Sequence, residues 1–303
     1  MATNRKQTTR KLLMTDPIGF CYNPQTAASN AFQTKTALDN KESEYLARKE
    51  FNLFVDQLTL KGVEVLVASG QAQTPDAVFP NNVFSTTHDG RFFYFPMANE
   101  NRRQEREIAY DLLLQNHGLQ INEIIDLSEL EKQGQYIEGT GSMIFHHPSE
   151  TLFMSRSIRS QEKALNAFCQ YSPHKVIPMD ALDANRKEIY HTNVVLSIGN
   201  HWMIACLEAI TESDKVKFWC EQNQIELIEI NLEQMNQFGA NVLEVEGKNA
   251  PLGVISETAW NAYTTQQKRA WEKFLEPLIV SIPTIETIGG GSARCMMAEI
   301  FLP

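Results

Sequence analysis

The chain has 303 residues, of which 43% are hydrophobic and 21% charged, and a formal net charge of −10. That length suits one large domain or two ordinary ones. The acidic balance speaks against a nucleic-acid partner, because phosphate binding needs a basic face. No apolar run reaches the length of a membrane span, since Gly199-Asn200-His201 breaks the nearest candidate, 193–210.

The predicted elements form a recurring order. Leu12–Met14 reads as a strand, Ser43–Leu60 as a helix and Val63–Val67 as a second strand. Val83–Thr86 and Arg91–Phe95 flank Asp89-Gly90, a hairpin signal. A helix over Arg102–His117, closed by Gly118, and a strand over Ile121–Leu127 follow. The order returns with Ser142–Phe145, Thr151–Met154, a helix capped by Ser160 and running to Gln170, and Lys175–Pro178. It returns again with Val194–Ile198, His201–Cys206, a helix near Ser213–Glu221 and Ile225–Ile230. A fourth copy runs from Asn241 through Gly253–Ile255, a helix after Ser256, and Ile279–Pro283. Arg294–Phe301 supplies one strand of a fifth unit, and the N-terminal elements supply the rest. Five such units with one split across the termini would close a ring like a propeller. The same alternation also permits an ordinary α/β sheet.

Met1–Arg10 is polar, lacks an apolar signal-peptide core, and is expected to be disordered; 11–303 is expected to be a single catalytic domain. Cys21, Cys169, Cys206, Cys220 and Cys295 are scattered without CxxC spacing. That pattern suits reduced thiols and a cytoplasmic location better than disulfides or zinc. His146-His147 has no third ligand at a metal-binding spacing and reads as a hairpin loop.

The most informative segment is Gly289-Gly290-Gly291-Ser292-Ala293-Arg294-Cys295. Glycines let the backbone take conformations closed to other residues and let a ligand approach closely. A thiol just after such a loop, at the mouth of a final strand, is well placed for a nucleophile. A flexible loop followed by a small buried hydrophobe is the plainer alternative. Glu138, in Tyr136-Ile137-Glu138-Gly139-Thr140-Gly141-Ser142, is either an acid projecting into a cleft or a solvated loop residue. His191, in Tyr190-His191-Thr192-Asn193, is either a satisfied core group or a positioned acid/base. Asn101-Arg102-Arg103 opens a helix, where cations oppose the macrodipole unless an anion binds.

Acid, histidine and late cysteine fall at strand ends of successive units. In this respect the chain resembles the guanidino-group modifying enzymes: arginine deiminases, dimethylarginine hydrolases and amidinotransferases. Gly-Gly-Gly-Ser-Ala-Arg-Cys is similar to their nucleophile loop, Tyr-His-Thr-Asn to their histidine motif and Ile-Glu-Gly-Thr-Gly to their acid motif. Ser155-Arg156-Ser157-Ile158-Arg159-Ser160 is similar to a Ser-x-Arg segment that places Arg159 on substrate. The resemblance is collinear over 12–303 and implies the five-bladed β/α propeller (pentein). Phe20 to Asn30 and Phe79 to Ser85 look like the citrulline-utilisation hydrolases, which adds Asn23 and Phe79 to the implied substrate contacts.

The resemblance implies a mechanism without cofactor or metal. Cys295 attacks the guanidine or ureido carbon, His191 serves as acid and then base, and Glu138 orients the substrate. Asp76 matches the first acid of the relatives' Pro-Asp-x-x-Phe-x-x-Asp, but the second position here is Asn82. A guanidinium offers only donors and suits two carboxylates, whereas a ureido oxygen needs a donor that Asn can supply. Citrulline, giving ornithine, carbon dioxide and ammonia, is therefore the expected substrate, with Arg102 and Arg159 implied on its carboxylate. Arginine or dimethylarginine hydrolysis is the first alternative, amidino transfer the next, and a non-catalytic binding protein of the same fold the reading from another class. The expected partner is a small amino acid rather than a nucleic acid or membrane, and a homodimer is compatible with the chain.

Overall fold

The computed structural model describes residues 5–303. Fifteen strands form five three-stranded sheets. In chain order they are β1 (Lys11–Asp16), β2 (Glu64–Ser69), β3 (Phe84–Thr86), β4 (Arg91–Tyr94), β5 (Glu123–Asp126), β6 (Met143–His146), β7 (Thr151–Arg156) and β8 (Lys175–Asp180). Then come β9 (Leu196–Ile198), β10 (Trp202–Ala205), β11 (Glu226–Glu229), β12 (Leu243–Glu246), β13 (Pro251–Ser256), β14 (Glu276–Val280) and β15 (Ala298–Glu299). The sheets are β3-β4-β5, β6-β7-β8, β9-β10-β11, β12-β13-β14 and β15-β1-β2. The last joins the two ends of the chain, with Leu12 opposite Glu299.

Every sheet repeats one rule. The middle strand runs antiparallel to its first neighbour and parallel to its second. A parallel pair needs a crossover, and a helix supplies it in each unit. The longest is Asn40–Leu60, capped by Asp39, which accepts from the Lys41 and Glu42 amides while the Glu42 side chain answers the Asp39 amide. Ala47, Phe51, Phe54 and Leu58 lie on its buried stripe at helical spacing. Each buried phenylalanine there contributes about 2–3 kcal/mol.

The first strands of the units touch in turn: β15 with β3, β6 with β9, and β9 with β12. They therefore line the centre of the ring. Each inner strand is entered through a connection from the preceding outer strand; four are left through a hairpin, and β15 pairs instead with β1 from the other end of the chain. The five connections gather at one end of the ring and the hairpin tips at the other. Trp202 and Trp271 are fully buried and meet edge to face at 5.4 Å, as core residues.

Several local expectations are corrected. The helix over Arg102–His117 is broken: a helical turn Glu100–Arg103 and a 3-10 segment Gln104–Ile108 lead to Ala109 at φ 57°, and only Tyr110–Asn116 is regular helix thereafter. Arg102 and Glu105, three residues apart, are both buried and paired. Ser160 is no helix cap; its hydroxyl bonds Ser142 Oγ, and the helix starts at Glu162. The strand expected at Ile279–Pro283 is Glu276–Val280, because registry with β13 is set by Leu252 opposite Glu276. Cys295 lies in a 3-10 turn, Ala293–Met296, one residue short of β15. Residues 5–10 are not disordered. Gln7 bonds Phe145 O at 2.9 Å and receives the His147 amide at 2.9 Å, while Thr9 O and Arg10 O accept from Glu246 and Glu64. The rest of that expectation, residues 1–4, lies outside the described residues.

Candidate active site

The connections entering the inner strands place the candidate residues. Asp76 and Asn82 precede β3, Glu138 precedes β6, His191 and Asn193 precede β9, Asn241 precedes β12 and Cys295 precedes β15. Residues far apart in sequence thus reach one end of the ring. Around Cys295, Gly289 and Gly291 lie against the ring of Phe79, and Gly290 against Asn30 and Gln33. A Cβ on Gly289 or Gly291 would come within 2.8 Å of that ring, and Gly290 sits at φ +64°. Any larger residue would lift the loop off Phe79 and move the sulfur.

Glu138 is fully buried. Its Oε1 accepts the Ala98 amide at 3.0 Å, and its Oε2 lies 2.8 Å from His191 Nε2, 3.7 Å from Arg159 and 4.0 Å from Arg102. Burial alone would raise its pKa, but Arg159, the His191 bond and Arg102 outweigh it and lower the carboxyl to about 2. Glu138 is therefore ionised. For His191, burial disfavours the imidazolium more than Glu138 favours it, so its pKa falls below 6.5 and the ring is neutral. Nε2–H then donates to Glu138, leaving the Nδ1 lone pair able to take a proton.

Asp76 and Asn82 line the same cavity. Asp76 Oδ2 accepts from Asn23 Nδ2 at 2.8 Å and Thr26 Oγ1 at 2.9 Å, while its Oδ1 is buried without a partner. Burial raises its pKa against the pull of Arg102. Asn82 Oδ1 accepts from Arg102 Nη1 at 2.8 Å. A guanidinium can only donate, so the amide orientation is fixed and Nδ2 faces away from Arg102, where it is buried without a partner. A Cβ on Gly141 would lie 2.3 Å from Asn82 Nδ2 and 2.7 Å from His191 Nδ1, so this glycine leaves room for the two to sit close together.

The two arginines differ. Arg102 holds Glu105 with a two-pronged pair at 2.8 and 2.9 Å and also donates to Phe79 O at 3.2 Å. Burial opposes its charge, but Glu105 more than compensates and raises its pKa. Most of its N–H groups are thus engaged by the protein. Arg159 lies 4.8 Å over the Tyr190 ring and donates to Thr26 O at 2.9 Å and Ser29 Oγ at 3.0 Å. Its partners are neutral apart from Glu138.

Cys295, His191, Asp76, Asn82, Phe79, Arg102 and Arg159 line one small cavity of about 20 Å³, with Thr26, Asn30, Tyr190 and the three glycines. That is room for about one water. Glu138 lies directly behind His191. Asn23 does not line the cavity: its Nδ2 goes to Asp76 and its Oδ1 receives the Gln25 amide and Asn101 Nδ2, so it holds Asp76 in place. Sequence reasoning missed Glu105, Asn193 and Asn241. Asn193 stood inside the quoted Tyr-His-Thr-Asn motif, and Asn241 opened the fourth unit, just before its inner strand.

A ring of five ββαβ units with an acid, a histidine and a cysteine at one end defines a guanidino-group modifying enzyme. A family model described as N,N dimethylarginine dimethylhydrolase, eukaryotic, matches residues 16–302. The chain belongs to that family, whose members are hydrolases of guanidino carbon–nitrogen bonds. No sequence among the curated proteins matches it. Solved structures share the fold at low identity, three of them as follows. The N-terminal domain of ArgZ, a cyanobacterial arginine dihydrolase of the ornithine-ammonia cycle, bound to substrate, superposes with TM-score 0.76 at 14% identity, covering 95% of this chain and 97% of that one. A binary complex of an AgrE mutant with L-arginine gives 0.75 at 15%, covering 95% and 40%. A dimethylarginine dimethylaminohydrolase mutant joined to S-methyl-L-thiocitrulline gives 0.66 at 14%, covering 97% and 100%. Among the described residues, no helix is long and apolar enough to cross a membrane.

Proposed function

We propose that the chain hydrolyses the ureido carbon of a free amino acid, with citrulline giving ornithine, carbon dioxide and ammonia. The observation that carries this reading is Asn82. Arg102 holds its oxygen, so the amide of this cavity-lining side chain has only its unpartnered Nδ2–H to offer a substrate. A ureido oxygen accepts from that donor, whereas a guanidinium meets it with another N–H. The unpartnered Asp76 Oδ1 suits the ureido N–H groups.

In this reading the Cys295 thiol passes its proton to His191 Nδ1 as the sulfur bonds the carbon, and the bond from that carbon to the ornithine nitrogen breaks as His191 hands the proton on to that nitrogen. Water then attacks the S-carbamoyl carbon as His191 takes its proton, the sulfur leaves, and the carbamate released breaks down to carbon dioxide and ammonia. The ionised Glu138 keeps the imidazole oriented and offsets the imidazolium formed at each turn. Arg159 binds the α-carboxylate, and Arg102 holds Asn82. At the edge of the cavity Asn30 bonds Gly290 O at 3.1 Å and Gln33 bonds Ile288 O at 3.3 Å, which ties the glycine loop to the segment after Asn23.

The family match supports a second reading, in which arginine or dimethylarginine is the substrate of the same site. Ammonia, alkylamine, ornithine and citrulline release from citrulline, arginine, dimethylarginine and agmatine decides between them. Ornithine and ammonia from citrulline, with at least a tenfold swing toward arginine in Asn82→Asp, supports the first. Turnover of arginine or dimethylarginine alone, or a preference unmoved by Asn82→Asp, sinks it in favour of the second.

A further inference from the structure

Cys295 Sγ receives two hydrogen bonds, from Asn193 Nδ2 at 3.3 Å and Asn241 Nδ2 at 3.2 Å. Among the described residues no charged group donates to this sulfur. All three side chains are buried, with Asn193 at 0% and Asn241 at 2% exposure, so water competes little for these bonds. The Asn241 amide is fixed on both sides. Its oxygen receives the Cys295 amide at 3.4 Å, and its nitrogen also donates to Asn193 O at 3.2 Å. Turning it over would set oxygen against oxygen and N–H against N–H. Asn241 therefore presents N–H to the sulfur by construction.

A thiol sulfur is a weak acceptor and a thiolate a strong one, so N–H donors favour the charged form. Two carboxamides converging on one sulfur from separate connections are more than the loop needs for its own backbone bonds. We infer that Asn193 and Asn241 form a two-donor cradle that holds the Cys295 sulfur as the attacking thiolate and receives it again when it leaves the carbon. Both are positioning residues, acting through Cys295 and not on substrate. The cradle uses the unit of the ring, β12, whose entry carries no other candidate group, which gives Asn241 a role equivalent in position to Asn82, Glu138, His191 and Cys295. The inference rests on Cys295 being the nucleophile of the proposed hydrolase.

The test is the pH profile of Cys295 alkylation by iodoacetamide, read by mapping the Cys295 peptide so that the other four cysteines do not count. It is run beside kcat and KM on whichever substrate the intact chain turns over. Asn193→Ala and Asn241→Ala should each slow alkylation near neutral pH about tenfold, displace its profile to higher pH, and lower kcat with KM within about twofold. Asn193→Asp and Asn241→Asp keep size and shape, so they guard against loss of folding, checked by thermal melting. They should displace the profile further than alanine, because a carboxylate repels a thiolate. Folded variants with an unmoved profile would overturn the cradle, whether or not kcat fell. A displaced profile in a chain that turns over none of the substrates supports the cradle while removing the proposed reaction.

Discussion

The two ends of the ring are built from opposite choices. At the end formed by the connections, charge is buried and balanced: Glu138 between His191 and two arginines, Arg102 on Glu105. At the hairpin end, histidines are packed on apolar rings. His88 lies 4.5 Å and His147 4.8 Å from Phe301, and His147 is 5.4 Å from both His88 and His174. Burial lowers all three, His174 to about 4, and the neighbouring His146 also falls to about 4. Both ends use histidine, but only one gives it an ionised partner. A neutral imidazole with a carboxylate behind it can cycle a proton, whereas a neutral imidazole among rings is held only as a hydrophobe with a polar edge.

The largest expected effect falls on the connection end. Cys295→Ser should reduce turnover at least about a thousandfold with an unchanged melting temperature, since the sulfur makes the bond. A residual rate within tenfold of wild type would break the comparison at its first term. Glu138→Gln should cost about a hundredfold or more in kcat, because the neutral amide cannot offset the imidazolium. Glu138 is already ionised above about pH 2, so the loss should be similar at pH 6 and pH 8.

Arg102→Ala tests the same end through stability. It strands Glu105 as a buried, unpaired carboxylate, and urea unfolding should show a loss of about 3–5 kcal/mol. The double variant with Glu105→Gln should recover part of that. A folded Arg102→Ala of wild-type stability would mean that the pair is not what holds Asn82.

The hairpin end should announce itself by pH. Histidines with folded-state pKa values below 6.5 bind protons more readily when unfolded. Their neutral packing is therefore cost-free above about pH 6.5, and stability falls as pH drops from there toward 4. The loss should be roughly 1 kcal/mol per histidine after allowance for partial exposure. His174→Asn should flatten the curve in that window without changing kcat. At the small end of the scale, Lys61→Ala removes an exposed pair with Glu276 at 2.6 Å and should move stability by no more than about 0.5 kcal/mol.

How much of this was legible in the chain follows the same division. The cysteine, histidine and acid motifs were legible because each site residue sits in a short irregular segment with its own signature, such as three glycines before Cys295. The five-unit order was legible because strand pairs alternate with helices. The break at Ala109 was not, since Arg102–His117 has helical periodicity and no glycine or proline marks the residue that takes φ 57°. Ser160 looked like a cap because serine favours caps, yet its hydroxyl is taken by Ser142 across the sheet. Asn193 sat in a quoted motif and Asn241 at the head of a unit, but neither position tells a role on Cys295: an asparagine before a strand looks the same whether it meets solvent or a sulfur 102 or 54 residues away. The hairpin-end histidines lie in three separate turns and meet only through closure of the ring.

The most direct test of the central claim is to quench the enzyme in acid during turnover of citrulline, and of arginine in parallel, and to map covalent adducts by mass spectrometry. A carbonyl or amidino-type adduct on the Cys295 peptide, present during turnover and gone when substrate is exhausted, is the predicted result. Continued turnover with no adduct on Cys295 under conditions that accumulate intermediates, or an adduct on another cysteine, would contradict the account.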